Sequence, residues 1–450
     1  MHLPLTRCTR IARLLAVWGL IASAGIVHAA EGSSSEITYI TASRMLDVST
    51  GEYRANPLIS VRDGRIVAIR DAGSTKLAAD AELVDLKGKT LLPGLIDMHV
   101  HIDYPPSVGG YSAFAYTDSF WAVSAAGHAR SMLEAGFTTI RNLGSVFRND
   151  VGLKQAIEAG FAVGPRVVPA GYAIGATGGH CDSNLLPPAF DAPRKDGIAN
   201  GPEEMRYQVR RQRKYGAEVI KICATGGVFS KNTEPGQRQM SDAELRAVVD
   251  EAHHWGLRVA AHAHGTAGIK AAIAAGADTI EHASLVDDEG IRLARTRQRP
   301  VWFSMDIFNT EYTQAEGAKI GLLAETLRKD REIADIQREN FRRAHRAGVR
   351  MVFGSDAGVM PHATAAAQFK LMVRYGMKPI EAIQAATRNA AEALGRERDV
   401  GTISVGRFAD LIAVSGDPLS DISELEHVDA VILGGRLVER RPEPSAPAIR

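Results

Sequence analysis

Six residues of this chain, His99, His101, Lys221, His262, His282 and Asp356, stand at or just past the ends of short apolar runs that read as β-strands. A parallel barrel gathers all its strand ends around one mouth, so residues spread over more than half the sequence can converge on one site. Imidazole and carboxylate are ligands for divalent cations, and such a convergence reads as a metal centre. In Asp97-Met98-His99-Val100-His101, alternate side chains share a face, which brings both imidazoles within reach of one ion. A His-x-His pair alone is weak, because strand histidines also serve as hydrogen-bonded core residues. Its company carries the argument: His262-Ala263-His264 ends a second strand, Glu281-His282 a third and Gly354-Ser355-Asp356 the last. His128, His253, His254, His345 and His427 fall on helical or edge segments and read as solvated or capping residues.

Lys221 follows the apolar pair Val219-Ile220. Buried and unpaired, a lysine there would be costly. Either it snorkels to the barrel mouth, or its amine has taken up carbon dioxide as a carbamate, an anionic oxygen donor able to bridge two metals. Cys223 lies two residues on, on the same face, and reads as a small filler near the site rather than a disulfide partner, although spacing does not decide whether it pairs with Cys181.

The elements that would position these residues are legible as alternation. Eight strand-like runs, 91–101, 138–143, 166–170, 218–224, 258–264, 279–282, 301–305 and 350–355, are separated by helical stretches that end in phrases such as Glu134-Ala135-Gly136 and Arg346-Ala347-Gly348. Ser241-Asp242-Ala243-Glu244 is a capping box opening a helix, and Gly276 closes an alanine-rich one. Helix, glycine stop and strand, repeated, predict an α/β fold whose leading form is a (β/α)8 barrel. A doubly wound open sheet is the alternative, but it would cluster ligands at one crevice rather than draw them from strands one, four, five, six and eight. Turn-punctuated strand patterns flank the alternating region at both ends, and are expected to fold together as one small β-sandwich. The division expected is 1–30 signal peptide, 31–90 first part of the sandwich, 91–401 barrel, and 402–450 the rest of the sandwich and tail.

The first thirty residues stand apart. Arg7, Arg10 and Arg13 precede or overlap the apolar run Leu14 to Val27, which ends in Val27-His28-Ala29-Ala30. This is the pattern of a secretory signal peptide, with an apolar run short of the ~20 residues that span a bilayer. A periplasmic or secreted protein is expected, without a stable membrane anchor, its mature form beginning near residue 30. With 53 basic against 52 acidic side chains and a net charge of +1, no basic stripe suggests nucleic acid.

Pro93-Gly94-Leu95-Ile96-Asp97-Met98-His99-Val100-His101, the fourth-strand lysine, His262, His282 and Gly354-Ser355-Asp356 together resemble the metal-dependent amidohydrolase superfamily over nearly all of the mature chain. Gly178-Gly179-His180, Lys221 to Val228 and Val259 to Gly265 resemble the branch holding Xaa-Pro dipeptidases, related carboxypeptidases and ochratoxin-hydrolysing amidohydrolases. The resemblance implies that His99, His101 and Asp356 hold one divalent ion, His262 and His282 a second, most simply zinc, with carbamylated Lys221 between them. It implies hydrolysis by a metal-bridging hydroxide, with Asp356 as proton shuttle. His264 shares a face with His262 and is open between a substrate contact and an orienter of a ligand. His180 is the candidate for holding the substrate's carbonyl or carboxylate. Arg238 is a candidate for a terminal carboxylate, against the commoner reading of a surface arginine.

The function expected is hydrolysis of an amide bond beside a free carboxylate, in a dipeptide, an N-acyl amino acid or an ochratoxin-like amide. An imidazolonepropionase-like ring opener or a deaminase with one metal is the alternative, and a metal-using periplasmic binding protein the reading from another class. The expected partner is a small-molecule amide, and a homo-oligomer is compatible with the family resembled.

Overall fold

The computed structural model describes residues 37–78, 80–108, 110–185 and 196–441. The expected signal segment lies outside the described residues, and among those described no helix is long and apolar enough to cross a membrane.

Among the described residues, eight strands form the parallel part of the fold: β1 (Leu95–Val100), β2 (Phe137–Asn142), β3 (Arg166–Pro169), β4 (Val219–Cys223), β5 (Arg258–Ala263), β6 (Thr279–His282), β7 (Trp302–Ser304) and β8 (Met351–Val352). Their ladders make two arcs, β1-β2-β3 and β4-β5-β6-β7-β8, rather than one continuous closed ladder. Backbone bonds cross both seams. Ile174 N–H donates to the Lys221 carbonyl (2.8 Å) and Cys223 N–H to the Ile174 carbonyl (2.9 Å) between the β3 loop and β4. Asp356 N–H reaches the His99 carbonyl (2.8 Å) and His101 N–H the Ala357 carbonyl (2.7 Å) between the β8 loop and β1. Every residue of β1, β2, β4 and β6 is buried, as expected of parallel strands covered on both faces, so a polar side chain on them is exceptional.

Helices fill the connections. The capping box forms as expected: the Ser241 hydroxyl accepts from Glu244 N–H and the Glu244 carboxylate from Ser241 N–H, opening helix Asp242–His254. Helix Thr266–Ala275 ends at Gly276 with φ of 116°, a conformation that favours glycine.

The expected strand over 91–101 is in fact two. Strand Leu83–Pro93 belongs to a different sheet, and the chain passes from it into β1 at Gly94, where a Cβ would stand 2.0 Å from Thr138 Oγ1. That other sheet joins both flanks. Leu83–Pro93 pairs in parallel with Thr38–Asp47 and antiparallel with Leu411–Val414, within one eight-stranded sheet that includes Pro57–Arg62, Arg65–Asp71 and Ala430–Leu433. The hydrogen bonding thus joins both flanks in a single sheet, as the expectation that they fold together requires, and the sheet covers its own cluster of Ile40, Ile59, Ile66, Leu91, Leu411 and Ile432.

Candidate metal centre

The ends of β1 and β8 meet through Asp97. Its Oδ1 accepts from His99 N–H (3.0 Å) and Ser355 N–H (3.1 Å), and its Oδ2 from the Ser355 hydroxyl (2.5 Å). The first and last strands are thereby held in register where they carry His99, His101 and Asp356. Nε2 of His99 and Nε2 of His101 each stand 3.4 Å from Asp356 Oδ1. Across the cavity floor, one ligand atom from each of His262, His264 and His282 lies within 4.8 Å of the others, and the same holds for His282, Asp306 and Asp356. Lys221 lines the same cavity, 3 % exposed, its Nζ 3.2 Å from His99 Nε2.

Burial dominates the electrostatics of the site. Burial pushes the Lys221 ammonium down to about 8, against the attraction of Glu281 and Asp356. Burial and then Asp306 push the Asp356 carboxyl well above its usual range, and Asp306 is itself pushed up to about 8 by burial. The imidazoles of His99, His262 and His264 are driven toward the neutral, ligating form by burial and by one another's charge or that of Lys221. Neutral imidazoles facing carboxylates in a dry pocket are the donor set for divalent cations. His282 (φ 68°) and Asp356 (φ 59°) both adopt the left-handed backbone region, uncommon outside glycine, at the strand ends where the ligands are presented.

Behind the ligands lies a layer that sequence reading missed. Arg141, fully buried on β2, donates from Nη2 to Glu281 Oε1 (2.8 Å), from Nη1 to Thr279 Oγ1 (3.0 Å) and from Nε to the Met98 carbonyl (2.6 Å). Glu281 Oε2 then stands 3.2 Å from His99 Nδ1. Asp306 Oδ1 holds His282 Nδ1 at 2.8 Å, and Gln337 donates to the same oxygen at 3.3 Å. Asp306 fixes the far nitrogen of the His282 ring, leaving its Nε2 toward the site, while Glu281 sets a carboxylate beside the far nitrogen of His99. The available signal was the presence of Arg141 and Glu281 inside otherwise apolar strands.

His180 lines the cavity, as does His264, whose Nδ1 lies 2.7 Å from the Ser284 hydroxyl. Arg238 does not line it: its guanidinium donates to the Met240 carbonyl (2.7 Å) and pairs with Asp242, so the substrate contact considered for it is corrected to a local brace. The filler role expected of Cys223 is also corrected. It is disulfide-bonded to Cys181, because the loop after β3 runs beside β4 through Ile174 and packs Cys181 against Gly175, where a Cβ would lie 2.7 Å from that of Cys181. The cavity above the ligands holds about 350 Å³, its outer wall apolar with Tyr104, Phe229, Ile320 and Leu322.

The model of the amidohydrolase family matches residues 90–438, so the match takes in both arcs and every ligand candidate. The chain belongs to the amidohydrolase family. It is 35% identical to the ochratoxinase of Aspergillus niger over 373 residues, 77% of this chain and 75% of that one. The crystal structure of a Xaa-Pro dipeptidase with bound methionine in the active site is 36% identical, covers 90% of this chain and 100% of its own, and superposes with a TM-score of 0.84. A prolidase complexed with N-methylphosphonate-L-proline gives 31% identity, the same coverage and a TM-score of 0.82. This amidohydrolase is accordingly a hydrolase of C–N bonds, in the branch of ochratoxinase and the prolidases, and of a metal-dependent family.

Proposed function

We propose that this amidohydrolase is an exported binuclear enzyme that cleaves an amide bond beside a free carboxylate, in dipeptides, N-acyl amino acids or ochratoxin-like amides. The observation that carries the reading is the buried Lys221, whose Nζ stands 3.2 Å from His99 Nε2 in the cavity that His101, Asp356, His262, His264 and His282 also line. In this reading the two arcs act as one (β/α)8 barrel, with the flank sheet folding over its own cluster as a small β-sandwich beside it. His99, His101 and Asp356 would hold one divalent ion, His262 and His282 the other, and Lys221, as its carbamate, would join them. Ions in these places acidify water and polarise a carbonyl oxygen.

The chain's own residues do the rest. Asp306 holds His282 in the tautomer with Nε2 bare, and Arg141 keeps the Glu281 carboxylate beside Nδ1 of His99. Asp356, its carboxyl pushed upward by burial and Asp306, accepts the proton of the attacking water and returns it to the departing amine nitrogen.

The test is a library of dipeptides and N-acyl amino acids offered to enzyme purified with zinc and bicarbonate. Turnover with about two metals per chain, and an intact mass raised by one carbon dioxide, is expected. About one metal per chain, with ring amides or aminopurines as the substrates, overturns the reading. Export is checked separately by N-terminal sequencing of the protein recovered from the periplasm, with a start near residue 30 expected.

A further inference from the structure

His180 is gripped from every side but one. Its ring stacks on that of His262, with centroids 4.0 Å apart and planes at 22°, and the Gly227 backbone lies so close that a Cβ there would stand 2.4 Å from Cε1 and Nδ1. Its backbone N–H donates to Gln239 Oε1 (2.8 Å), and the next residue, Cys181, is tied to β4 by the disulfide. Nδ1 lies 2.8 Å from the Ser230 hydroxyl, which leaves Nε2 for the cavity.

The direction of the hydrogen bonds on Nδ1 can be followed. Ser230 Oγ is in close contact with Thr233 Oγ1, and Thr233 Oγ1 accepts from Gly227 N–H at 3.3 Å. A hydroxyl both accepts and donates, so these contacts admit two directions; the one that avoids the longest contacts has Thr233 donating to Ser230 and Ser230 donating to Nδ1. The Gly227 carbonyl, the competing acceptor, offers these hydroxyls only 3.4 and 3.5 Å. A neutral imidazole that accepts at Nδ1 carries its proton at Nε2.

What keeps the two hydroxyls in place is a buried ammonium on another element. Lys329, fully buried in helix Ala324–Arg346, donates to the Ser230 carbonyl (2.5 Å), the Thr233 carbonyl (2.9 Å) and Glu325 Oε1 (3.0 Å), which accounts for all three of its protons. Glu325 Oε1 also accepts from Asn232 N–H (3.0 Å), at the turn residue with φ of 60°. The helix thus straps residues 230–233 from both ends.

We propose that Lys329, Thr233 and Ser230 are positioning residues that hold His180 as an Nε2–H donor aimed at an oxygen of the substrate's carboxylate. The substrate half of this rests on the function proposed above, whereas the tautomer does not. Ring-¹⁵N NMR of histidine-labelled enzyme, with His180→Gln supplying the assignment, reads the tautomer with or without a substrate. A protonated Nε2 and bare Nδ1 are expected in the parent, and loss of that preference in Ser230→Ala. A protonated Nδ1 in the parent overturns the proposal.

Kinetics test the other half. With an N-acyl amino acid, Ser230→Ala and Thr233→Val should lose about ten- to a hundredfold, chiefly through KM and at unchanged metal content, as befits a hydrogen bond to a charged group. The loss on the matched carboxamide should be at least tenfold smaller, and Ser230→Thr, which keeps a hydroxyl, should recover most of it. Equal losses on both substrates would reduce the three residues to structural supports. Failure of the parent to turn over any amide would strike the proposed function, while the NMR result still stands on its own.

Discussion

At the scale of single residues, the two proposed roles of holding a cation and moving a proton should part on substitution. Asp356→Asn keeps an oxygen for the ion, so metal content and thermal midpoint should stay near the parent's while kcat falls at least ~10²-fold, the lower end of what general acid–base help supplies. His99→Ala should lose metal together with activity, seen by metal analysis of the dialysed protein. Glu281 tests the layer behind. It is the partner of a fully buried guanidinium, and Glu281→Ala would leave Arg141 charged and uncompensated. A loss of about 3–5 kcal/mol in denaturant unfolding is expected, larger than for Asp356→Asn. The ligand candidates were readable as residue types at strand ends. Their supports were not, because Arg141 and Glu281 are 140 residues apart and each looks like an accident until the fold brings them together. The same reason hid the Cys181–Cys223 bond: two side chains on one face of a strand say nothing about the loop that crosses above them.

At the scale of elements, one carboxylate outside the site ties a helix to the sheet's lower edge. Asp278, just before β6, accepts from Val259 N–H (2.8 Å) and meets His253 Nε2 (2.9 Å) and Arg299 Nη2 (2.8 Å). Burial alone would raise its pKa, but His253, the Val259 amide and Arg299 outweigh that and hold it below 3.8. A depressed carboxyl contributes stability that is fully present above its unfolded value and is lost as pH falls through the folded one. Urea midpoints of the parent and Asp278→Asn should therefore differ most near neutrality and converge in acid; a gap that widens on acidification would contradict the assignment. Most of the elements were legible because glycine stops and apolar runs recur with a fixed sense. The exception is 91–101, where two strands of different sheets abut without any polar residue between them. Pro93-Gly94 was the mark of the joint, and only the proximity of Thr138 explains why that joint demands glycine.

At the scale of the whole molecule, the flanks are neither ornament nor tail. Strand Leu411–Val414 lies hydrogen-bonded to Leu83–Pro93, which runs on through Gly94 into β1 and the first two ligands. Arg166, opening β3, adds an ion pair to Asp410 at 2.6 Å. Ending the chain after residue 403 should thus expose the apolar side of Leu83–Pro93 and give insoluble or protease-sensitive protein, even though every ligand candidate remains; a soluble, metal-binding fragment would show the parallel arcs to be independent of the flanks.

The clasp that Asp97 makes with Ser355 has a consequence in time. Ligands on β1 are finished early in synthesis, yet their geometry waits for residues 355 and 356, more than 250 positions later. Loop closure over that length comes late in folding. A chain that stops short of residue 355 therefore lacks the clasp, and the meeting of His99 and His101 with Asp356 is the last part of the pocket to be completed.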